Sequence, residues 1–130
     1  MNKLYIFIIL ILSFLASAFI FNARATKPQD DVVYTLAEFN SRIKNSKKPV
    51  LVYFYADWCL ICPKLKPIIS QIETEYTDKI EVIKVNTDKC KEISRELEID
   101  GLPLIIIYKN GKNTWTYVGL TDKMNIEVHL

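Results

Sequence analysis

A continuous apolar run, Val50 to Ala56, constrains the fold of this chain more than any other segment. Its β-branched, aromatic and aliphatic residues are typical of a strand that is buried on both faces. After this run, Pro67 lies within a series of residues at helical spacing, namely Cys62, Leu65, Ile68, Ile69, Ile72 and Tyr76. We therefore predict a central buried strand, followed by a helix that begins near Cys59 and is kinked at Pro67.

Other patterns predict a helix before this strand, and a second strand and a short helix after it. Residues 35–38, Thr-Leu-Ala-Glu, have the form of a capping box that opens a helix through about Asn45. A second buried strand is predicted over 80–85, and Asp88 is a candidate to cap the short helix that follows. This order of elements implies a parallel crossover connection.

The last third of the chain has the pattern of an antiparallel hairpin. Asn110-Gly111, the strongest short hairpin signal in the sequence, lies between strand candidates at 104–108 and 113–118. A final helix is predicted from Thr121, with about nine residues left for it. The predicted fold class is therefore α/β, with a central mixed β-sheet that has helices on both faces.

The N-terminal segment differs in composition from the rest of the chain. Residues 4–21 are eighteen positions without a charge, and Ala23-Arg24-Ala25 has the small-x-small form of a cleavage site. The run exceeds the usual apolar region of a signal peptide and approaches the roughly 20 residues that span a bilayer. We therefore divide the chain into a signal peptide or N-terminal membrane anchor, residues 1–25, and one domain, residues 26–130. Cleavage after Ala25 is the interpretation we favour.

The charge of the domain argues against a nucleic-acid partner. Lys3 and Arg24 are the only basic residues before position 26, so residues 26–130 carry 15 basic and 15 acidic side chains. Such a domain lacks the concentrated positive charge of nucleic-acid-binding proteins.

We expect a monomer outside the cytoplasm, either periplasmic or on the outer face of the cytoplasmic membrane. Its only membrane contact would be through residues 4–21, if these are retained.

The three cysteines allow at most one internal pair and leave one thiol over. Cys59 and Cys62 are separated by two residues, and closing so small a loop restricts the unfolded chain by only about 2 kcal/mol. Redox chemistry therefore explains this pair better than structural stabilisation. A metal site is the weaker alternative, because one Cys-x-x-Cys supplies two of the usual four ligands. We expect neither a metal nor a cofactor other than the redox-active disulfide.

The two cysteines are predicted to differ in their roles. Cys59 is expected at a helix N-terminus, where unpaired backbone N–H groups favour an anion and lower a thiol pKa. Cys62 lies one turn further, on the apolar face of the helix. We therefore predict that Cys59 is the attacking nucleophile and that Cys62 resolves the mixed disulfide. The third thiol, Cys90, has a helical spacing that points it inward, and we expect it to be buried and inert.

Several of these segments resemble the thioredoxin family, and the resemblance covers residues 32–130. Residues 55–62, Tyr-Ala-Asp-Trp-Cys-Leu-Ile-Cys, resemble its active-site motif, and Pro67 falls where its active-site helix kinks. Residues 100–103, Asp-Gly-Leu-Pro, resemble the loop that bears its cis-proline, and 109–111 and Gly119 also match. The active-site and Gly-Leu-Pro segments are also similar to the C-terminal, reductase-like domain of the bacterial transmembrane electron carrier called DsbD.

The resemblance implies an exported thiol:disulfide oxidoreductase that reduces protein disulfides by dithiol–disulfide exchange. Its partners would be a protein disulfide substrate and an upstream dithiol donor such as a membrane electron carrier. Trp58 would shape the surface beside the nucleophile, and Pro103 would form a cis peptide bond next to the disulfide. Leu102 would offer its backbone polar groups to an extended substrate segment. A disulfide oxidase or isomerase, and a non-catalytic binding module, stay open as alternatives.

The chain departs from the family pattern at Tyr53 and at the dipeptide Leu60-Ile61. Tyr53 stands where thioredoxins commonly carry a buried Asp that assists proton transfer, and Lys84 occupies the place of that acid's usual partner. We expect Lys84 to reach solvent or to bond the Tyr53 hydroxyl. Asp57 is then a candidate to assist protonation, because it adjoins the cysteine pair. The dipeptide Leu60-Ile61 contains no charge that would stabilise the thiolate, so we expect a reducing couple.

Overall fold

The computed structural model describes residues 2–4, 6, 8–11 and 32–130. Within the N-terminal part of this set, residues 3–4, 6 and 8–11 are helical. None of the helices in the described stretches combines the length and apolar character needed to cross a membrane. Most of the predicted signal peptide or anchor at 1–25, including the cleavage site at Ala25, lies outside the described residues.

Helices and strands alternate along most of the domain. They are α1 (Leu36–Asn45), β1 (Val50–Tyr55), α2 (Cys62–Glu75), β2 (Glu81–Asn86), α3 (Lys91–Glu96), β3 (Leu104–Lys109), β4 (Lys112–Val118) and α4 (Lys123–Glu127). The strands form one four-stranded sheet in the order β2-β1-β3-β4. β1 runs parallel to β2 and antiparallel to β3, and β3 runs antiparallel to β4. The predicted mixed α/β sheet is confirmed.

The side chains of β1 alternate between two hydrophobic clusters. On one face, Val52 and Phe54 join residues of α1 and α3 such as Phe39 and Ile93. On the other face, Leu51 and Tyr53 join residues of α2 and α4, among them Leu65, Ile69, Ile72 and Ile126. Because both faces of β1 are covered, the usual alternation of apolar and polar residues would bury polar side chains. The strand sequence is therefore continuously apolar.

Two local predictions are confirmed by backbone geometry. At the start of α1, the Glu38 N–H donates to the Thr35 hydroxyl over 3.2 Å, and the Thr35 N–H donates to the Glu38 carboxylate over 2.8 Å. These two bonds are the reciprocal pair of a capping box. In the β3–β4 hairpin, Asn110 and Gly111 have φ values of 53° and 75°. Positive φ at both central residues is what a tight hairpin turn of this kind requires.

Three predicted helix starts are wrong by a few residues. α2 begins at Cys62 rather than near Cys59, and α4 begins at Lys123 rather than Thr121, behind an Asp122 cap. Asp88 does not cap α3, whose N-cap residue is Cys90. Instead Asp88 lies in a turn that follows β2, in which the Asn86 side chain accepts the backbone N–H groups of residues 88 and 89. Because the Asn86 side chain accepts these N–H groups, residues 88 and 89 stay in the turn, and the helix starts later, at Lys91.

Candidate active site

The predicted cysteine pair is joined at the carboxyl end of β1. Cys59 and Cys62 form a disulfide with their Cα atoms 5.4 Å apart. β1 ends at Tyr55, and the intervening loop places Cys62 as the first residue of α2. The disulfide therefore connects the loop after the central strand to the start of the helix that packs on that strand.

The sulfur of Cys59 receives a hydrogen bond from the first N–H group of α2. The Cys62 N–H donates to Cys59 Sγ over 3.2 Å. Cys59 thus lies three residues ahead of the helix, not within it, but its sulfur contacts an N–H group that has no intrahelical acceptor. Cys59 therefore has the unpaired N–H group beside its sulfur that the sequence predicted, although the residue itself lies outside the helix.

The two sulfurs lie at the border between an apolar surface and the core. Both cysteines are buried, with exposed fractions of 7% for Cys59 and 3% for Cys62. The neighbours of Cys59 in the chain are exposed, Trp58 by 66% and Leu60 by 91%, and Ile61 is exposed by 39%. A protein that approaches the disulfide therefore meets apolar side chains before it reaches Cys59.

Asn86 organises the polar side of this site. Its Nδ2 group donates to the Asp57 carboxylate over 3.3 Å, and its Oδ1 atom accepts the N–H groups of the turn after β2. From that turn, the Asp88 carboxylate accepts a hydrogen bond of 3.4 Å from the Trp58 indole. Asn86 was not predicted from the sequence. A polar residue at the end of an otherwise apolar strand, directly before a turn, was the available signal.

The predicted cis peptide bond between Leu102 and Pro103 is confirmed. Leu104, the next residue, pairs with Phe54 near the end of β1, so Pro103 lies at the same end of the sheet as the disulfide loop. The Pro103 carbonyl accepts the Gly119 N–H over 2.8 Å, which ties this loop to the segment after β4. Gly119 has a φ of 104°, a backbone conformation that favours glycine.

The interior beneath the disulfide holds Tyr53, which departs from the family pattern, and Lys84, which stands at the place of the family acid's usual partner. Tyr53 is 1% exposed, and its hydroxyl donates a hydrogen bond of 2.9 Å to the Cys62 carbonyl. Lys84 is its neighbour on β2 and is itself buried, with Nζ 2.8 Å from a carboxylate oxygen of Glu73 on α2. Lys84 does not reach solvent, and the other expected outcome, a bond to the Tyr53 hydroxyl, stays a prediction. Glu73 was missed because nothing in its sequence surroundings marks it as the partner of a strand residue.

Outside the disulfide, Cys90 is the remaining thiol. It is 3% exposed, and its sulfur accepts the Tyr34 N–H over 3.4 Å. The prediction that Cys90 is buried is confirmed, whereas its lack of reactivity stays a prediction. Within the described part of the chain, no group of three or more His, Cys, Asp or Glu side chains is placed to hold a metal ion.

Comparisons with known proteins agree with this geometry. The family model named Thioredoxin matches residues 30–130. Thioredoxin from Griffithsia pacifica is 40% identical over 88 residues, which cover 68% of this chain and 81% of that protein. Thioredoxin 1 from Synechococcus elongatus is 35% identical over 92 residues, covering 71% of this chain and 86% of that protein. The chain spans only 51% of a third relative, the chloroplastic Thioredoxin Y of rice, at 40% identity over 85 residues.

A solved structure shows the same fold. The thioredoxin of Plasmodium falciparum superimposes with a TM-score of 0.67 at 32% sequence identity, covering 75% of this chain and 92% of the other. The match therefore includes nearly all of that protein and three quarters of this chain. With its disulfide at the start of α2 and a cis-proline loop at the same end of the sheet, this chain belongs to the thioredoxin family of disulfide oxidoreductases, and Cys59 and Cys62 are its redox pair.

Proposed function

We propose that this chain is an exported oxidoreductase that reduces protein disulfides, with Cys59 as nucleophile and Cys62 as resolving thiol. The observation that carries the proposal is the hydrogen bond from the Cys62 N–H to Cys59 Sγ. Once the disulfide is reduced, an N–H group directed at this sulfur favours the thiolate of Cys59 over the thiol. The exposed neighbours of Cys59 also make it the sulfur that a protein substrate meets first.

The reaction proceeds in two exchange steps. The Cys59 thiolate attacks one sulfur of the substrate disulfide, forms a mixed disulfide and expels the second substrate sulfur, which takes up a proton. The Cys62 thiolate then attacks Cys59 Sγ and releases the first substrate sulfur as a thiol. Two electrons pass to the substrate, and the protein keeps the Cys59–Cys62 disulfide. An upstream dithiol donor restores the reduced pair by the same exchange in reverse.

The supporting residues have roles that match their positions. Trp58 and the apolar dipeptide after Cys59 present a surface for a protein substrate. Leu102 offers backbone polar groups to an extended substrate segment, and the cis bond to Pro103 sets the direction of this loop. Asp57, which is exposed beside the pair, assists proton transfer.

The dipeptide between the two cysteines indicates the direction of electron transfer. Leu60 and Ile61 carry no charge, so nothing in the dipeptide stabilises the reduced thiolate beyond the N–H contact. The test is the equilibrium redox potential of residues 26–130 carrying Cys90→Ser, followed by tryptophan fluorescence in a glutathione or dithiothreitol series. A potential of about −250 mV or lower supports a reductase, since thioredoxin lies near about −270 mV. A value near about −120 mV would make the protein a disulfide donor instead.

The proposed location is the periplasm or the outer face of the cytoplasmic membrane. The support is the uncharged run at 4–21 followed by Ala23-Arg24-Ala25, together with the similarity of 55–59 to the C-terminal domain of DsbD. That similarity also favours a membrane electron carrier as the donor. N-terminal sequencing of the protein from fractionated cells tests this. A chain that begins at Thr26 outside the cytoplasm indicates cleavage, a full-length membrane-bound chain indicates an anchor, and a full-length cytoplasmic chain contradicts export.

A further inference from the structure

We propose that Tyr53 is a positioning residue for the resolving thiol, because its hydroxyl holds the first residue of α2 against the central strand. This inference rests on the proposed function, in which Cys62 attacks the mixed disulfide. The Tyr53 hydroxyl donates to the Cys62 carbonyl over 2.9 Å. The bond joins the middle of β1 to the residue whose sulfur must move in the second exchange step.

The Tyr53 hydroxyl is itself held in a rigid setting. Its side chain is 1% exposed, and its ring stacks on that of Tyr55 with centroids 5.4 Å apart and an interplanar angle of 18°. The ring also belongs to the cluster that contains Leu65 and Ile69 of α2. Close packing of this kind leaves a buried ring little freedom to move. The strand therefore presents the hydroxyl at a constant position beneath α2.

The start of α2 has fewer local restraints than an ordinary helix start. Its N-cap residue, Ile61, makes no side-chain capping hydrogen bond. Pro67 lies inside the helix and has no N–H group, so it cannot donate to the carbonyl of Pro63 in the first turn. The hydrogen bond from Tyr53 supplies a restraint from outside the helix at this same turn.

This restraint bears on one of the two exchange steps more than on the other. To resolve the mixed disulfide, Cys62 Sγ must approach Cys59 Sγ in line with the bond that breaks, and misplacement by about 1 Å costs roughly 10²-fold in rate. The first attack is made by Cys59 and uses the Cys62 N–H group, which a change at Tyr53 leaves in the chain. Loss of the Tyr53 hydroxyl should therefore slow resolution selectively.

The test separates the two rate constants in the full-length chain, held in detergent and carrying Cys90→Ser. The reduced protein is mixed with oxidised glutathione and quenched with acid at intervals, and mass spectrometry then measures its reduced, mixed-disulfide and oxidised forms. Tyr53→Phe removes only the hydroxyl, and Tyr55→Phe is the matched control in the stacked neighbour. We expect Tyr53→Phe to lower the resolution rate constant about fivefold, the effect of about one net hydrogen bond. Attack by Tyr53→Phe, and both steps in Tyr55→Phe, should stay within about twofold of the parent.

Each contrary result has a distinct meaning. Equal resolution rates in Tyr53→Phe and the parent would overturn the inference. A uniform slowing of both steps would overturn it as well. So would a Tyr53→Phe chain that shows no cooperative unfolding transition in thermal melting, because Tyr53 would then have a general structural role. Failure of the proposed function is recognised separately, in the parent protein, as glutathione attached elsewhere than at Cys59 or as no adduct at all.

Discussion

The ammonium nitrogen of Lys84 lies 2.8 Å from a carboxylate oxygen of Glu73, and the Lys84 side chain is only 7% exposed. This ion pair connects β2 to α2 next to Tyr53, which faces Lys84 across the parallel strand pair. A cation at so buried a position is costly unless a carboxylate accompanies it. The pair is therefore a point at which the stability of the domain depends on charge.

Removing the carboxylate should cost more than removing the cation. We expect Glu73→Gln to lower the free energy of unfolding by about 2 kcal/mol, below the roughly 3–5 kcal/mol for fully buried pairs because Glu73 is partly exposed. Lys84→Met keeps most of the apolar stem and removes the buried charge, so its loss should be smaller. Urea unfolding of both variants measures this. A larger loss in Lys84→Met than in Glu73→Gln would contradict the argument.

The proposed division of roles between the cysteines predicts which variant traps a substrate. In Cys62→Ser, attack by Cys59 proceeds but resolution cannot, so a stable mixed disulfide with a protein substrate should accumulate. Cys59→Ser should trap none, and Cys90→Ser should turn over like the parent, because that thiol is buried. Non-reducing electrophoresis with mass spectrometry of the adduct detects the complex. Equal trapping by Cys59→Ser and Cys62→Ser would refute the assignment.

The proposed role of Asp57 predicts a changed pH dependence with an intact fold. In Asp57→Asn the side-chain oxygen can still accept the hydrogen bond that Asn86 now donates to the carboxylate, so the local structure should persist. The proton-transfer group is lost, and the pH–rate profile of disulfide reduction should shift. Asp88→Asn is the matched control, since it changes the carboxylate that contacts Trp58 instead. An unchanged profile in Asp57→Asn would rule the role out.

The capping box of α1 predicts an acid-sensitive contribution to stability. The backbone N–H of Thr35, and also its hydroxyl, donate to the Glu38 carboxylate and hold its pKa below the ordinary value of 4.5. A carboxyl with a lowered pKa in the folded state stabilises the fold above pH 4.5, and this contribution is lost as the pH falls through the lower folded value.

The measurement is the unfolding free energy of the parent and of Glu38→Gln over a pH series. Their difference should be largest above pH 4.5 and should shrink below it, because Gln cannot titrate. Thr35→Ala removes the hydroxyl acceptor of the Glu38 N–H and should cost about 1 kcal/mol. A difference between the parent and Glu38→Gln that widens as the pH falls would contradict the assigned sign.

Much of the fold was predictable because its signals are local. The apolar run of β1, the capping box at Thr35 and Glu38, and the Asn110-Gly111 turn each depend on residues a few positions apart. The backbone dihedrals of a turn and the alternation of side chains along a strand also depend on residues only a few positions apart. The cysteine pair was recognised for the same reason, since its two sulfurs are three residues apart.

The sequence by itself therefore determined the order of the elements, the central position of β1 and the identity of the redox pair. Only the tertiary structure decided which distant side chains meet. Glu73 reaches Lys84, and Tyr53 reaches the Cys62 carbonyl, because α2 packs on the sheet beside these two strand residues. Asn86 joins Asp57 to a turn because β1 and β2 end side by side. A hydrogen bond or ion pair requires its atoms to be placed within a few tenths of an ångström. Hydrophobic patterning specifies which face of a helix is buried, and leaves that placement to the packing of the whole domain.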